Sequence, residues 1–446
     1  MEEITVNKLK SIWQIEDLRK KILFTLLLIL VFRLGCSIPV PFVSNTALDS
    51  MFSNDSIFGY MNMLSGGALS RCAFFALGVS PYINSSIITQ LLCVALPSWE
   101  ALQKETMGKD KLDEYTKRIA LAMAAIMSIG YYFVLRNYGA LEYTAGKSGF
   151  FAAVVIMATF LAGSQLSVWI GGRIDEFGIG NGVSILIFAG IVSRWSDINS
   201  IVTNVIGKVK AGEWLYSLIG ILTAVAMLAA VWFVTYSDGA ERRVPVQYAA
   251  RTQRVRPAAS YIPIKLLMSG VMPIIFAQAI MLLPISLINY ANSESLSGFA
   301  AAFSNFTGFW YNFTFFIMIV AFTYFYTAIT VNPMQMSEDM KKNGGFIPGV
   351  KPGRKTMEFL DTIMSRITLP GSIFLGIVAI LPAFAQISGV NHQFAQFYGG
   401  TSLLILVGVV LDTLQQIESH LLMRHYDGLM KSGRIKGKNP GGPAAY

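Results

Sequence analysis

Long apolar runs recur along this chain, separated by short polar connections. A helix needs about 20 mostly apolar residues to cross about 30 Å of hydrocarbon. That length picks out ten stretches: 21–39, 74–96, 117–136, 151–171, 182–199, 215–236, 266–288, 310–331, 368–387 and 400–423. The fifth is the weakest of them. The runs are too long and continuous for the alternating strands of a membrane β-barrel. The pattern predicts an all-α polytopic membrane protein with ten transmembrane helices. Residues 1–20 read as a cytoplasmic amphipathic segment lying on the membrane surface. The apolar stretch 22–32 is followed by Ser37-Ile38-Pro39-Val40-Pro41 rather than by a small-residue cleavage site, so the first run reads as an uncleaved span.

Composition agrees. Of 446 residues, 54% are hydrophobic and 14% charged, against about 25% charged in soluble domains. Soluble cores stop growing near about 250–300 residues, so lipid, not a larger core, accounts for the missing charge. The net charge of +9 follows the positive-inside bias. With the N-terminus in the cytoplasm, Lys and Arg collect in the N-terminal segment, in 97–118, 171–182, 237–265 and 332–367, and in the tail 424–446. Arg33, Arg71, Arg136, Lys147, Arg194, Lys208 and Lys210 fall elsewhere. Both termini are therefore expected in the cytoplasm, and the charge needs no nucleic-acid partner to explain it. Five spans (21–199) precede an external hinge loop at 200–214 and five (215–423) follow it. An odd number inverts one half relative to the other, and inverted halves often hold a path between them.

Two cytoplasmic loops stand out. Residues 237–265 interleave basic residues with Pro, Val and Tyr, and residues 332–367 include KKNGGFIPGVKPGRK. Gly and Pro punctuate turns there, and the branched and aromatic content is too high for a disordered linker. These read as ordered, protruding basic loops. They either dock a partner, nucleic acid being one such partner, or simply hold topology.

Chemistry is not expected within the chain. The nearest approach to a phosphate loop, Gly146-Lys147-Ser148, has Leu141 in place of the first glycine. HExxH and GxSxG are absent, and His392, His420 and His425 lack metal-ligand spacing. Cys36, Cys72 and Cys93 show no CxxC spacing and read as free thiols. No catalytic residue, metal or cofactor is expected. An ion-coupled small-solute transporter is the competing reading, and it would want buried charge in the spans. Asp412 is the clearest instance, either as a proton site or as a structural carboxylate; Glu418 lies toward the cytoplasmic end.

One span carries unusual uncharged polarity: Asn84, Ser85, Ser86, Thr89 and Gln90 crowd 78–92. Such groups should face protein or water, or bond to helix carbonyls. Just before it, MNMLSGGALSRCAFF from Met61 is too glycine-rich for a lipid-facing span and too apolar for an outer loop. It suits either a plug inside a cavity, with Gly66-Gly67 as hinge, or an ordinary re-entrant loop.

Several longer segments resemble the SecY/Sec61-alpha family from the first span to the last. They are ERRVPVQYA (Glu241–Ala249), SGGALSR (Ser65–Arg71), GIGNGVSILIFAGIV (Gly178–Val192), PIKLLMSGVMPIIFA (Pro263–Ala277), NPMQMSEDMKKNGGFIPGVKPG (Asn332–Gly353), RITLPG (Arg366–Gly371) and GGTSLLIL (Gly399–Leu406). The resemblance implies the central channel of a protein translocase. Two inverted five-helix halves would enclose an hourglass pore. Its waist would be a ring of Ile83, Ile87, Val183, Ile187, Ile275 and Ile405. A plug at 61–73, with Ser65, Gly66, Gly67, Ala68, Leu69 and Arg71, would cover the ring. A lateral gate between spans two and three and spans seven and eight, with Ser86, Thr89 and Gln278, would release signal sequences and membrane segments of preproteins into the lipid bilayer. The basic loops would dock the ribosome and the SecA motor ATPase through Arg242, Arg243, Arg254, Arg256, Lys351 and Arg354, and small subunits of the SecE and SecG type would complete the complex in the bacterial cell (inner) membrane. One position departs from the family pattern: GVKPG stands where GIRPG is usual, so Lys351 keeps the charge but lacks the bidentate fork of arginine.

Overall fold

The structure, a computed structural model, describes residues 13, 15–44, 68–104, 108–137, 139–143, 146–193, 225, 228–248, 260–268, 270–278, 280–281, 308–387 and 400–431. The expected hinge loop 200–214, plug residues Ser65, Gly66 and Gly67, and docking residues Arg254 and Arg256 lie outside these. The elements run α1 (Glu16–Gly35), α2 (Ser80–Ala95), α3 (Pro97–Lys104), α4 (Gly108–Asn137), α5 (Gly146–Phe177), α6 (Gly182–Val192), β1 (Glu241–Tyr248), β2 (Ser260–Lys265), α7 (Phe309–Thr330), α8 (Pro333–Lys342), β3 (Gly345–Phe346), α9 (Arg354–Ile387) and α10 (Gly400–Lys431). Residues 228–238 and 272–278 are also helical. Among the described residues five stretches are long and apolar enough to cross a membrane: Asp110–Asn137, Gly146–Phe177, Phe309–Lys342, Arg354–Phe384 and Ser402–Leu421.

Helix α1 shows how these helices sort their side chains. Its buried residues are Leu18, Thr25, Leu28, Phe32 and Gly35, spaced so that they share one face. Leu23, Leu26, Leu27, Leu30 and Leu34 point outward, each about half exposed. The more apolar face is thus the outer one, the reverse of a helix in a soluble protein. So large an exposed apolar surface requires lipid or a partner chain.

Among the described residues, two large clusters meet at α10, and a third, with Leu69, Leu135, Ile156 and Phe160, lies between α4 and α5. The first joins α1, residues 68–79, α5, α6 and Ile405 of α10. The second joins Val234, Leu267, Ile274, Ala277, Met281, α7, α9 and Leu403, Leu404 and Val407 of α10. Helix α10 therefore belongs to both. Helix α9 continues through Pro370 and Pro382, whereas the sequence placed its span only from 368. The longer helix reaches back to Arg354 because residues 354–367 have their own core to pack on.

That core belongs to a small unit formed by the two basic loops together. The order is β2-β1-β3, antiparallel, with Val244 opposite Ile262 and Gln247 opposite Phe346. Val244, Val246 and Ile264 face inward against Met340, Ile347, Leu360, Ile363 and Met364, while Arg243, Pro245 and Gln247 face out, as strand alternation requires. Pro245 is accommodated because β3 pairs only with residues 247 and 248, so β1 is an edge at that point. The stretch 332–367, read from sequence as loop, carries α8, β3 and the start of α9.

Helices α5 and α6 approach so closely that a Cβ on Gly182 would sit 2.0 Å from the carbonyl oxygen of Gly171. Backbone cannot yield there as a flexible side chain would. Gly182→Ala should therefore destabilise the protein by about 1–3 kcal/mol, lowering its melting temperature in detergent. Gly172→Ala, where a Cβ meets nothing within 4 Å, should leave it unchanged.

Candidate functional site

A cavity of about 480 Å³ lies between the helices. Its walls divide by chemistry. Ile83 of α2, Val183 and Ile187 of α6, Ile275 of the 272–278 helix and Ile405 of α10 supply aliphatic surface. Ile87, one turn beyond Ile83, is buried and does not belong to the lining. Asp175, Asn181, Ser184, Asp238, Lys265 and Asp412 supply polar surface. Of these charged groups the sequence had singled out only Asp412. Asp175, Asp238 and Lys265 close α5, the 228–238 helix and β2, and charge at span ends was the available signal. Burial pushes the Asp238 carboxyl above the ordinary carboxylate range; the nearby Lys265 ammonium opposes this and the Asp412 carboxylate adds to it.

Helix α6, which carries Val183 and Ile187, hangs from the turn 178–182. Side chains from three helices hold that turn by its backbone. Ile179 N–H donates to Thr25 Oγ1 of α1 at 3.1 Å. Gly180 N–H donates to Gln416 Oε1 of α10 at 2.8 Å. Gly182 N–H donates to Asp175 Oδ1 of α5 at 2.7 Å. Asn181 caps α6 by accepting from Ser184 N–H at 3.0 Å. Gly180 takes φ of +86°, a region that favours glycine.

Residues 68–79 pack beside the aliphatic wall: Ala68, Ala73 and Phe75 share a cluster with Ile187 and Ile405. Of the expected plug residues that are described, Ala68 and Leu69 are buried and Arg71 is exposed. Tyr131 of α4 holds this segment: its hydroxyl donates to the Leu69 carbonyl at 3.0 Å and accepts from Cys72 Sγ at 3.7 Å.

The polar face of α2 is largely satisfied from within. Ser85 donates to the Pro81 carbonyl at 2.7 Å. Thr89 accepts from Thr116 Oγ1 of α4 at 3.0 Å, so it faces the neighbouring helix of its own half. Gln90 Nε2 donates to Ser86 Oγ at 3.4 Å, and Ser86 lines the cavity. Gln278 is half-buried at the end of the 272–278 helix. Of the residues expected to dock a partner, Arg242, Arg243, Lys351 and Arg354 are all exposed on the small β unit and its turn. Arg243 lies 4.8 Å over the Tyr261 ring and pairs with Glu241 at 2.7 Å. Arg354 pairs with Glu358 at 3.3 Å. Lys351 occupies a turn fixed by Thr356 Oγ1, which donates to the Lys351 carbonyl at 3.0 Å.

A membrane helix bundle enclosing a largely aliphatic cavity is a channel-type architecture. Comparison with known proteins makes this specific. The SecY family model matches residues 73–414. The chain is 39% identical over 436 residues to the protein translocase subunit SecY of Aquifex aeolicus (strain VF5), covering 95% of this chain and 99% of that one. The fold resembles a solved protein-conducting channel, with TM-score 0.61 at 16% identity, covering 90% of this chain and 92% of that one. It also resembles Sec61 in the canine ribosome-channel complex, with TM-score 0.58 at 16% identity and the same coverage. The chain belongs to the SecY family.

The Tyr131 contact can be probed in isolation. Tyr131→Phe removes the hydroxyl and leaves the buried Leu69 carbonyl without its donor, a loss of about 1 kcal/mol. Maleimide labelling of Cys72 in the native protein should then run about fivefold faster, with labelling of the distant Cys93 unchanged.

Proposed function

We propose that this chain forms the protein-conducting channel of a Sec translocase, with unfolded polypeptide passing through the cavity. One observation carries the reading: Ile83, Val183, Ile187, Ile275 and Ile405, drawn from four separate helices, line the same cavity. These five form the ring, and Ile87, buried one turn beyond Ile83, backs it. A narrow aliphatic collar resists wetting and so holds back ions. It also offers a passing chain no hydrogen bonds that would arrest it. Residues 61–73 act as the plug, a role supported by the packing of Ala68 and Ala73 with Ile187 and Ile405.

Sideways release into lipid uses the gate carrying Ser86 and Gln278, with Thr89 set behind Ser86 against α4 of the same half. Small polar groups there keep closed and open states close in free energy, so that a signal sequence shifts the balance. The unit built from both basic loops docks the ribosome and SecA through Arg242, Arg243, Arg254, Arg256, Lys351 and Arg354. Its support is the exposure of the described members on one folded unit. SecE and SecG-type subunits complete the complex. The setting is the bacterial inner membrane with both termini in the cytoplasm, supported by the distribution of Lys and Arg. The chain itself carries no catalysis, cofactor or metal, and the motor or the ribosome supplies the work. An ion-coupled solute transporter would instead place charge where these aliphatic side chains stand.

Replacing Ile83, Ile87, Ile187 and Ile275 together with Ser should raise resting ion conductance severalfold in planar bilayers; wild-type conductance would remove the ring. A photocrosslinker at Ile275 should capture a stalled secretory chain. Lys351→Glu reverses a docking charge and should slow SecA-driven export in vesicles severalfold, and unchanged export would strike Lys351 from the docking surface.

A further inference from the structure

We infer that Gln416 is a positioning residue that sets the register between the two sides of the aliphatic constriction. The inference rests on the ring reading above. Ile405, Val409, Asp412 and Gln416 follow one another on α10 at spacings of four, three and four, and so share one face of the helix. Ile405, Val409 and Asp412 line the cavity. Gln416 continues that face beyond the lining and accepts a hydrogen bond from Gly180 N–H at 2.8 Å. Gly180 lies three residues before Val183, the first cavity residue of α6. A direct bond therefore joins the helix carrying Ile405 to the turn carrying Val183 and Ile187.

The surroundings leave little slack at this point. A Cβ on Gly180 would fall 2.5 Å from Ile185 Cδ1 and 3.0 Å from Thr413 Oγ1 of α10. The turn is thus pressed against α10, and Ile187 and Ile405 share one apolar cluster. The other anchors of the turn, Thr25 and Asp175, come from α1 and α5 and fix it within the first cluster. Gln416 is the anchor that reaches it from the helix shared with the second. Without an acceptor at 416, the Gly180 N–H must leave α10 to find water. The turn then moves with α1 and α5, and Val183 and Ile187 shift against Ile405.

The test uses the assembled translocon with Ile187→Cys and Ile405→Cys introduced as a reporter pair, cross-linked by a short bismaleimide, and resting conductance measured on the same channels without the reporter cysteines. Gln416→Leu, which cannot accept, should lower cross-linking and raise conductance, each about fivefold, the population shift expected from losing one hydrogen bond. Gln416→Glu, which still accepts, should restore both. Gln415→Leu, which removes the neighbouring contact to Lys265 (3.1 Å), should change neither. Unchanged cross-linking in Gln416→Leu would overturn the inference, as would equal damage from Leu and Glu, which would mark a loss of folding rather than of an acceptor. Reduced cross-linking with unchanged conductance would uphold the positioning role and overturn the ring as the ion seal.

Discussion

A buried turn must find acceptors for its backbone N–H groups, and the arrangement of this protein depends on how the turn 178–182 does so. Gly178 N–H still donates to the Ile174 carbonyl at 2.8 Å, but beyond it the turn has no helical acceptor, because α5 has ended at Phe177 and α6 begins at Gly182. Its donors are met by Thr25, Asp175 and Gln416, from three helices. Each acceptor fixes the turn against a different neighbour. The geometry leaves no room for larger residues at 180 and 182. Helix α6 is only 11 residues long, so wherever the turn goes, Val183 and Ile187 follow.

The rest of the bundle sorts residues by what their surroundings can tolerate. Lipid is as apolar as leucine, so leucines gain nothing by turning inward, and interiors favour small residues that let backbones approach. Helix α5 buries Gly149, Ala152, Ala153, Gly163, Ser164, Ser167 and Gly171 alongside the bulkier Ile156, Phe160, Val168, Ile170 and Ile174, while Phe150, Phe151 and Trp169 face out. Ser167 bonds back to its own helix, donating to the Gly163 carbonyl at 3.0 Å, whereas the buried Ser164 Oγ meets no partner among the described residues.

This sorting explains what could be read from the sequence. Apolar length and basic connections made the helical membrane class legible, because lipid imposes both directly. The polarity of 84–90 was legible as facing protein or water or bonding to helix carbonyls: Thr89 bonds across to α4, while Ser85 bonds to the Pro81 carbonyl and Gln90 to Ser86 of their own helix. Pairings between distant segments were not legible. Thr25 and Gln416 are ordinary polar residues in their own helices, and only the fold brings them to one turn. The union of the two basic loops was hidden for the same reason. Pro245 reads as a loop residue until the register shows that β1 lacks a neighbour on that side, and the Gly-rich stretch 343–353 gives no sign that α9 starts directly after it. The aliphatic lining stands between these cases. Its residues became candidates through their motifs, since isoleucine at helical spacing describes most of this chain.

The placement of that lining limits how the cavity can change size. Ile187 and Ile405 belong to the first apolar cluster, while Leu403, Leu404 and Val407, beside Ile405 on α10, belong to the second. Val271 packs against both. The aliphatic wall is therefore the seam between two close-packed bodies. Packed interiors resist gradual deformation and move as units. Widening the cavity by repacking either cluster would open voids in that cluster. Widening it by sliding the clusters apart along α10 disturbs chiefly a surface that already borders empty space. Width is then governed by the few contacts that cross the seam.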